Sequence, residues 1–255
     1  MILGEINIVK HQGKQFIKDL TSVTLPNTFR GIPIISEDKV AENEIIDFCP
    51  VNAISSKNNK LSIDLGKCSF CGDCQHQFSS KIKFSNHYKM ATNVRENLVI
   101  NQGDPTEIKL DALAIRKEIK SIFKRSLKLR QVSAGGDNSN ELELGACGNV
   151  NFDMGRYGIE FTASPRHADG IVLTGPITKN MAEALEIAFN AVPEPRILIL
   201  AGTDAISGGI FAESNAIQRD FLKKYPVDLY IPGNPTHPLT FINGVLELTR
   251  KKFRR

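Results

Sequence analysis

Four of the chain's five cysteines form a pattern that can hold metal: Cys68-Ser69-Phe70-Cys71-Gly72-Asp73-Cys74, with Cys49 standing alone before Pro50. Three thiolates at C-x2-C-x2-C spacing wrap one face of an iron–sulfur cubane, and a more distant cysteine followed by proline completes the set. The spacing therefore predicts one [4Fe-4S] site at Cys49, Cys68, Cys71 and Cys74, with one-electron chemistry. The competing chemistry is a Zn(Cys)4 ribbon, which also takes four thiolates but prefers two C-x2-C knuckles. Disulfides are not expected in a long chain without a signal peptide.

The absences around this pattern agree with each other. A second cluster of the same type would need cysteines at 39, 42 and 45, where Lys39, Glu42 and Ile45 stand, and a fourth ligand at 78, where Phe78 stands. Because the last cysteine of each run ligates the other cluster, one cluster is lost cleanly and one kept. His76 and His87 lie nearby and read as exposed loop residues, His76 being close enough to the cysteine loop to hydrogen-bond a sulfide.

The elements that must position these residues follow from local patterning. Val51–Ile54, a polar turn over 55–60 and Leu61–Asp64 read as a strand, turn and strand ahead of the cysteine loop. The segments 81–84 and 97–100 read as strands closing a small domain, and residues 1–30 as a short strand or extended arm. Between 107 and 130, apolar residues recur near the helical period among Arg116, Lys117, Lys120, Lys124, Arg125, Lys128 and Arg130, which predicts a basic amphipathic linker helix. Downstream, 158–162, 170–174, 196–200 and 227–231 read as strands. Thr178–Ala191, opened by an N-cap threonine, and Leu239–Lys251 read as helices. Strands alternating with helices imply a parallel α/β sheet, whose ligands sit beyond the carboxyl ends of the strands. The Gly-rich loops there match neither phosphate-binding fingerprint.

Composition narrows the class. With 41% hydrophobic and 24% charged residues the chain reads as a globular protein, long enough for two modest domains. The net charge of +4 is concentrated in 116–130 and in the tail Arg250-Lys251-Lys252-Phe253-Arg254-Arg255. No nucleic-acid reading motif accompanies it, so an anionic partner surface is the milder implication, including a membrane-surface contact through residues 107–130. No run approaches the roughly 18 apolar residues of a membrane span, and the N-terminus lacks an export signal, which points to the reducing cytoplasmic side.

Two stretches carry a resemblance. Tyr157 to Gly170, Leu173-Thr174-Gly175-Pro176-Ile177-Thr178-Lys179-Asn180-Met181, Val192-Pro193-Glu194-Pro195-Arg196, Ser207-Gly208-Gly209-Ile210-Phe211 and Pro226 to Gly233 resemble the small subunit of membrane-bound, energy-converting [NiFe] hydrogenases. The 20-kDa iron–sulfur subunit of respiratory complex I is similar. Leu25 to Cys74, with Phe29-Arg30-Gly31-Ile32-Pro33 leading into the cysteines, resembles the ferredoxin-like subunit of such enzymes.

That resemblance implies a proximal cluster held by four cysteines at positions occupied here by Asp137, Asn140, Asp204 and Asn234. Hard oxygen donors do not hold a thiolate-type cluster. The former site is expected to be an empty, polar, water-filled pocket, with Mg²⁺ or Ca²⁺ as the alternative occupant. Cys147 is no substitute ligand and reads as a buried apolar side chain. Arg166 and His167, which the resemblance places beside the lost cluster, would be structural. Glu141 stands where such hydrogenases carry a proton-moving glutamate, a role made doubtful by the missing cluster.

The expected architecture is α/β: an α+β ferredoxin-like domain over 1–105 with one [4Fe-4S] site, the linker helix 106–130, and a flavodoxin-like parallel-sheet domain over 131–255. The expected role is a non-catalytic electron-transfer subunit of a hydrogenase-like or complex I-like oxidoreductase. Its partners would be a large subunit and membrane subunits, and its place the cytoplasmic face of the membrane. A non-redox scaffold of an ion-translocating complex is the second reading.

Overall fold

The computed structural model describes residues 2–13, 15–38, 42–57, 60–105 and 107–250. The chain opens with helix α1 (Ile2–Gln12), not the strand or extended arm that the alternation of its apolar residues suggests. Then come β1 (Pro33–Ile35), α2 (Glu42–Asp47), β2 (Ile54–Lys57), β3 (Lys60–Asp64), α3 (Asp73–Gln77), β4 (Ile82–Phe84) and β5 (Val99–Asn101). Strand β1 pairs antiparallel with β4, and the hairpin β2–β3 extends to β5. Cys49-Pro50 follows α2 and the cysteine loop precedes α3, so the two helices flank the hairpin as the ferredoxin-like expectation requires. The first expected strand is displaced: β2 begins at Ile54 rather than Val51 and runs on to Lys57, which narrows the expected turn over 55–60; Asn58 and Asn59 lie outside the described residues, as does Lys39.

The linker helix is corrected. Only α4 (Lys117–Ile122) is helical, and Leu127–Ser133 is a strand, β6. The apolar spacing misleads because two periodicities abut there. Ile115, Ile119 and Phe123 turn inward at four-residue steps, then Leu127 and Leu129 alternate at two.

After β6 come α5 (Ser139–Ala146), β7 (Ile159–Phe161), β8 (Gly170–Thr174), α6 (Lys179–Asn190), β9 (Ile197–Ala201), α7 (Thr203–Ser207), α8 (Phe221–Lys224), β10 (Leu229–Ile231) and α9 (Pro238–Thr249). Two stretches read as loops thus carry helices, α5 and α7. Thr178 occupies the N-cap position of α6 but makes no side-chain cap bond. Helix α9 stops at Thr249, and the tail 251–255 lies outside the described residues.

The parallel sheet has the order β10-β9-β8-β6-β7. Counted within the sheet this is 2-1-3-4-5, the flavodoxin-like order, whose topological switch falls between β6 and β8. Its faces separate by alternation. Ile171, Leu173, Leu198 and Leu200 join one core with α6, α8 and the cysteine-bearing hairpin. Val172, Ile197, Ile199 and Ala201 join a second core with α4, α5 and α9. The first core runs without a break from Ile63 and Cys68 to Ala205 and Ile206. The edge of β10 is met by Thr92, whose N–H and C=O exchange bonds of 3.0 and 2.8 Å with Tyr230.

Candidate iron–sulfur site and the polar site beside it

Cys49, Cys68, Cys71 and Cys74 line one narrow cavity of about 20 Å³, walled by Phe48, Val51, Ile54, Ile63 and Phe84. None is in a disulfide; Cys68 is buried, Cys71 exposed, and the other two lie between. The loop's shape rests on two left-handed residues, Phe70 (φ 54°) and Gly72 (φ 85°). Arg30 from the Phe-Arg-Gly segment donates Nε to the Phe70 carbonyl at 2.5 Å and lies against Gly72, where a Cβ would meet its Cδ at 2.9 Å.

Backbone donors point at the sulfurs. Ala53 N–H donates to Cys49 Sγ and Phe70 N–H to Cys68 Sγ, each at 3.3 Å. Burial pushes the Cys68 thiol up to about 12, against the pull of the Phe70 N–H, and Cys74, Cys49 and Cys71 push it further. Cys74 rises to about 11 through burial, then through Cys71 and Cys49. As bare thiols Cys68 and Cys74 resist ionisation; bound iron removes that resistance, because metal coordination deprotonates thiols outright.

These residues fit a cubane cluster on the chemistry of the donors: four soft sulfurs, apolar walls and N–H groups directed at sulfur. Among the described residues, no three His, Cys, Asp or Glu side chains converge as a single ion demands. His76, on α3, and His87 are both exposed.

The thiol loop abuts α7. Thr203 Oγ1 donates to the Cys68 carbonyl at 2.9 Å and lies 3.2 Å from the Gly233 carbonyl, and a Cβ on Gly66 would strike Ile206 at 2.8 Å. The next residue in α7 is Asp204.

Asp137, Asn140, Asp204 and Asn234 all lie beyond the carboxyl ends of β6, β9 and β10. Asn140 is buried; its Oδ1 accepts from Thr236 N–H at 2.9 Å and its amide lies against Gly202. Asp137 accepts from Ser139 N–H and Oγ, which hold its carboxyl below the usual range. Glu141 accepts from Thr174 Oγ1 at 2.5 Å. Asp204 is 5% exposed and makes no side-chain hydrogen bond or ion pair among the described residues. Burial, then Asp137 and Glu141, raise it to about 6, with Arg219 opposing. Arg219 itself bonds only carbonyls, those of Pro176, Asp204, Ala205 and Ile206, and burial lowers it to about 10.

Glycine makes this crowding feasible. At Gly209 a Cβ would lie 1.8 Å from Asp204 Oδ1, and at Gly175 (φ 79°) 2.6 Å from Gly136 N, so the two switch-point loops touch backbone to backbone. Cys147 is fully buried in the second core, and burial raises its thiol. Arg166 and His167 are exposed; His167 N–H donates to the Ser164 carbonyl at 3.1 Å, and neither side chain makes a hydrogen bond or ion pair among the described residues. Local patterning missed Thr203 and Arg219; their partners are 135 and 13 to 43 residues away, and no local signal marks them.

The fold and the two sites define a flavodoxin-like α/β protein with an appended cysteine-bearing module. Residues 138–248 match the family described as NADH ubiquinone oxidoreductase, 20 Kd subunit. An uncharacterized protein of Methanocaldococcus jannaschii, MJ0516, is 38% identical over 134 residues, which are 52% of this chain and 90% of that protein. An NADH-quinone oxidoreductase subunit of Heliobacterium modesticaldum is 41% identical, and its counterpart in Bacteroides thetaiotaomicron 40%. Each match covers 43% of this chain, and 63% and 56% of the respective relative. A chain of the membrane-bound sulfane sulfur reductase, an archaeal respiratory membrane complex, aligns at TM-score 0.44 with 27% identity, covering 49% of this chain and 70% of that one.

The chain belongs to the NADH ubiquinone oxidoreductase 20 Kd subunit family. The family match begins after all four clustered cysteines, and the chain spans less than two thirds of each of the two NADH-quinone oxidoreductase relatives. No helix among the described residues is long and apolar enough to cross a membrane.

Proposed function

We propose that this chain is an electron-transfer subunit of a membrane-attached oxidoreductase complex related to complex I and the energy-converting hydrogenases. In this reading it holds one [4Fe-4S] cluster on Cys49, Cys68, Cys71 and Cys74 and none at Asp137, Asn140, Asp204 and Asn234. The observation that carries the reading is the single cavity lined by all four thiols, with N–H groups directed at Cys49 and Cys68 sulfurs. The modules are residues 1–105, with the thiols, and 131–255, with the family match; the partners are a hydrogenase-like large subunit and membrane subunits.

When bound, the cluster supplies one-electron storage, at a potential set by hydrogen bonds to sulfur and by exposure. The chain's own contribution is positional. The Phe70 and Ala53 N–H groups favour negative charge on the sulfurs, the Phe48, Ile54 and Ile63 walls restrict water, and Arg30 and Thr203 fix the loop from opposite sides. Cys71 is the exposed edge of the set. At the vacated positions the polar groups of Asn140, Asp137 and Glu141 are engaged with Thr236, Ser139 and Thr174, which favours neither cluster nor cation.

Iron and acid-labile sulfide analysis with low-temperature EPR of the reduced chain tests this. About four irons per chain and one S = 1/2 signal are expected; fewer than about four irons would falsify the single-cluster reading. The scaffold alternative is separated by repeated reduction and reoxidation, which an electron carrier survives without loss of iron.

A further inference from the structure

The basic stretch that sequence patterning placed on a helix lies instead along one edge of the parallel sheet. Residues 107–130 hold eight basic and three acidic side chains, an excess larger than the whole chain's net +4. Arg116 bonds the Arg196 carbonyl and Asp228, just ahead of β9 and β10, and Leu127 N–H bonds the Gly158 carbonyl ahead of β7. The stretch therefore tracks the amino ends of the strands. Asp204 and the other vacated positions lie at the carboxyl ends.

On this edge Leu113 is 96% exposed, the most exposed large apolar side chain among the described residues. It does not hang from a slack loop. Leu113 N–H donates to Asp111 Oδ1 at 2.8 Å, Asp111 is held by two bonds of 2.8 and 2.9 Å to Asn93, and Lys120 Nζ bonds the Ala112 carbonyl. Beside the turn runs a groove of about 480 Å³, with Lys89, Lys109 and Arg250 over Leu110, Ile115 and Leu248. Arg250 Nε is buried without a hydrogen-bond partner. Two carboxylates share the groove, Glu107, paired with Lys109 at 2.9 Å, and Glu247. Lys117 and Lys124 are exposed and form no ion pair among the described residues.

We propose that this edge docks on an anionic bilayer surface, with Leu113 entering the headgroup layer and the lysines around it facing the lipid phosphates. A fixed aliphatic projection in a segment that also exposes Lys117 and Lys124 is what interfacial binding uses, since apolar insertion and attraction to anionic lipid add. The inference is independent of the cluster, because neither Leu113 nor the lysines touch the thiol cavity.

Flotation of the full chain, as purified, with phosphatidylcholine vesicles containing or lacking phosphatidylglycerol tests the proposal. The chain is expected to float with the anionic vesicles, to stay behind with the neutral ones, and to be released by salt. Leu113→Ser should weaken binding roughly fivefold or more, and Lys117→Ser with Lys124→Ser roughly tenfold or more. All three side chains are exposed, so thermal unfolding of the variants should match the parent. The proposal is overturned by failure to float with anionic vesicles, which would leave an acidic protein as the occupant. Equal flotation on both vesicles, or flotation unchanged in Leu113→Ser and in the double lysine variant, overturns it too.

Discussion

The thiol cavity and the polar site at Asp137, Asn140, Asp204 and Asn234 are built alike and equipped differently. Each gathers four side chains from loops and the first turns of short helices, each is pinned by distant residues, and they share a wall, since Thr203 bonds the Cys68 carbonyl and precedes Asp204. At the first, the donors are soft sulfurs approached by N–H groups. At the second, the side chains of Asp137, Asn140 and Glu141 are engaged by hydrogen bonds, leaving Asp204 buried and without a hydrogen-bond partner among the described residues. A ligand-gathering frame and its chemistry are therefore separable. Sheet topology and the glycine approaches at Gly175 and Gly209 maintain the frame; the identity of four side chains decides what it holds.

The biggest change is expected at the intact site. Cys68→Ser should take iron from about four per chain to below about one, read by elemental analysis, because three thiolates hold a cubane poorly. Retained iron would erase the contrast between the two sites. Next, replacing Asp137, Asn140, Asp204 and Asn234 together by cysteine should raise iron toward about eight per chain after reconstitution. Iron that remains at about four means the frame has closed as well as lost its donors.

Smaller effects refine the picture. Thr203→Val leaves the buried Cys68 carbonyl without its donor and should cost about 1–2 kcal/mol in denaturant unfolding. Asp204→Asn tests the unpartnered carboxyl. Its folded pKa lies above the ordinary value, so the folded state binds more protons and stability falls as pH rises between about 4 and 6. The variant should therefore be more stable than the parent above about pH 6, by about 1–2 kcal/mol after solvent screening, and no more stable below about pH 4. Equal pH profiles would show that Asp204 is not strained by its neighbours. Least of all, Cys147→Ala should cost about 1 kcal/mol and leave iron unchanged, since Cys147 packs in the second core, away from the thiol cavity.

Much of this is legible in the residues alone. The spacing of Cys49, Cys68, Cys71 and Cys74 specifies soft donors in one set, and the apolar runs 170–174 and 197–200 specify buried parallel strands, because both signals are local. Residues 107–130 mislead because a helical step of four runs directly into a strand step of two, and only pairing with β7 and β8 reveals β6. Helices α5 and α7 are hidden by their length and by the glycines around them.

Which donors exist, and in what order the elements follow, is thus written in the order of the residues. Only packing settles that Thr203 meets Cys68 across 135 residues, that Asp204 is desolvated beside Asp137 and Glu141, and that Leu113 faces outward. The reason is physical: side-chain chemistry and local periodicity are encoded residue by residue, whereas burial and long-range contact arise only when separate segments pack together.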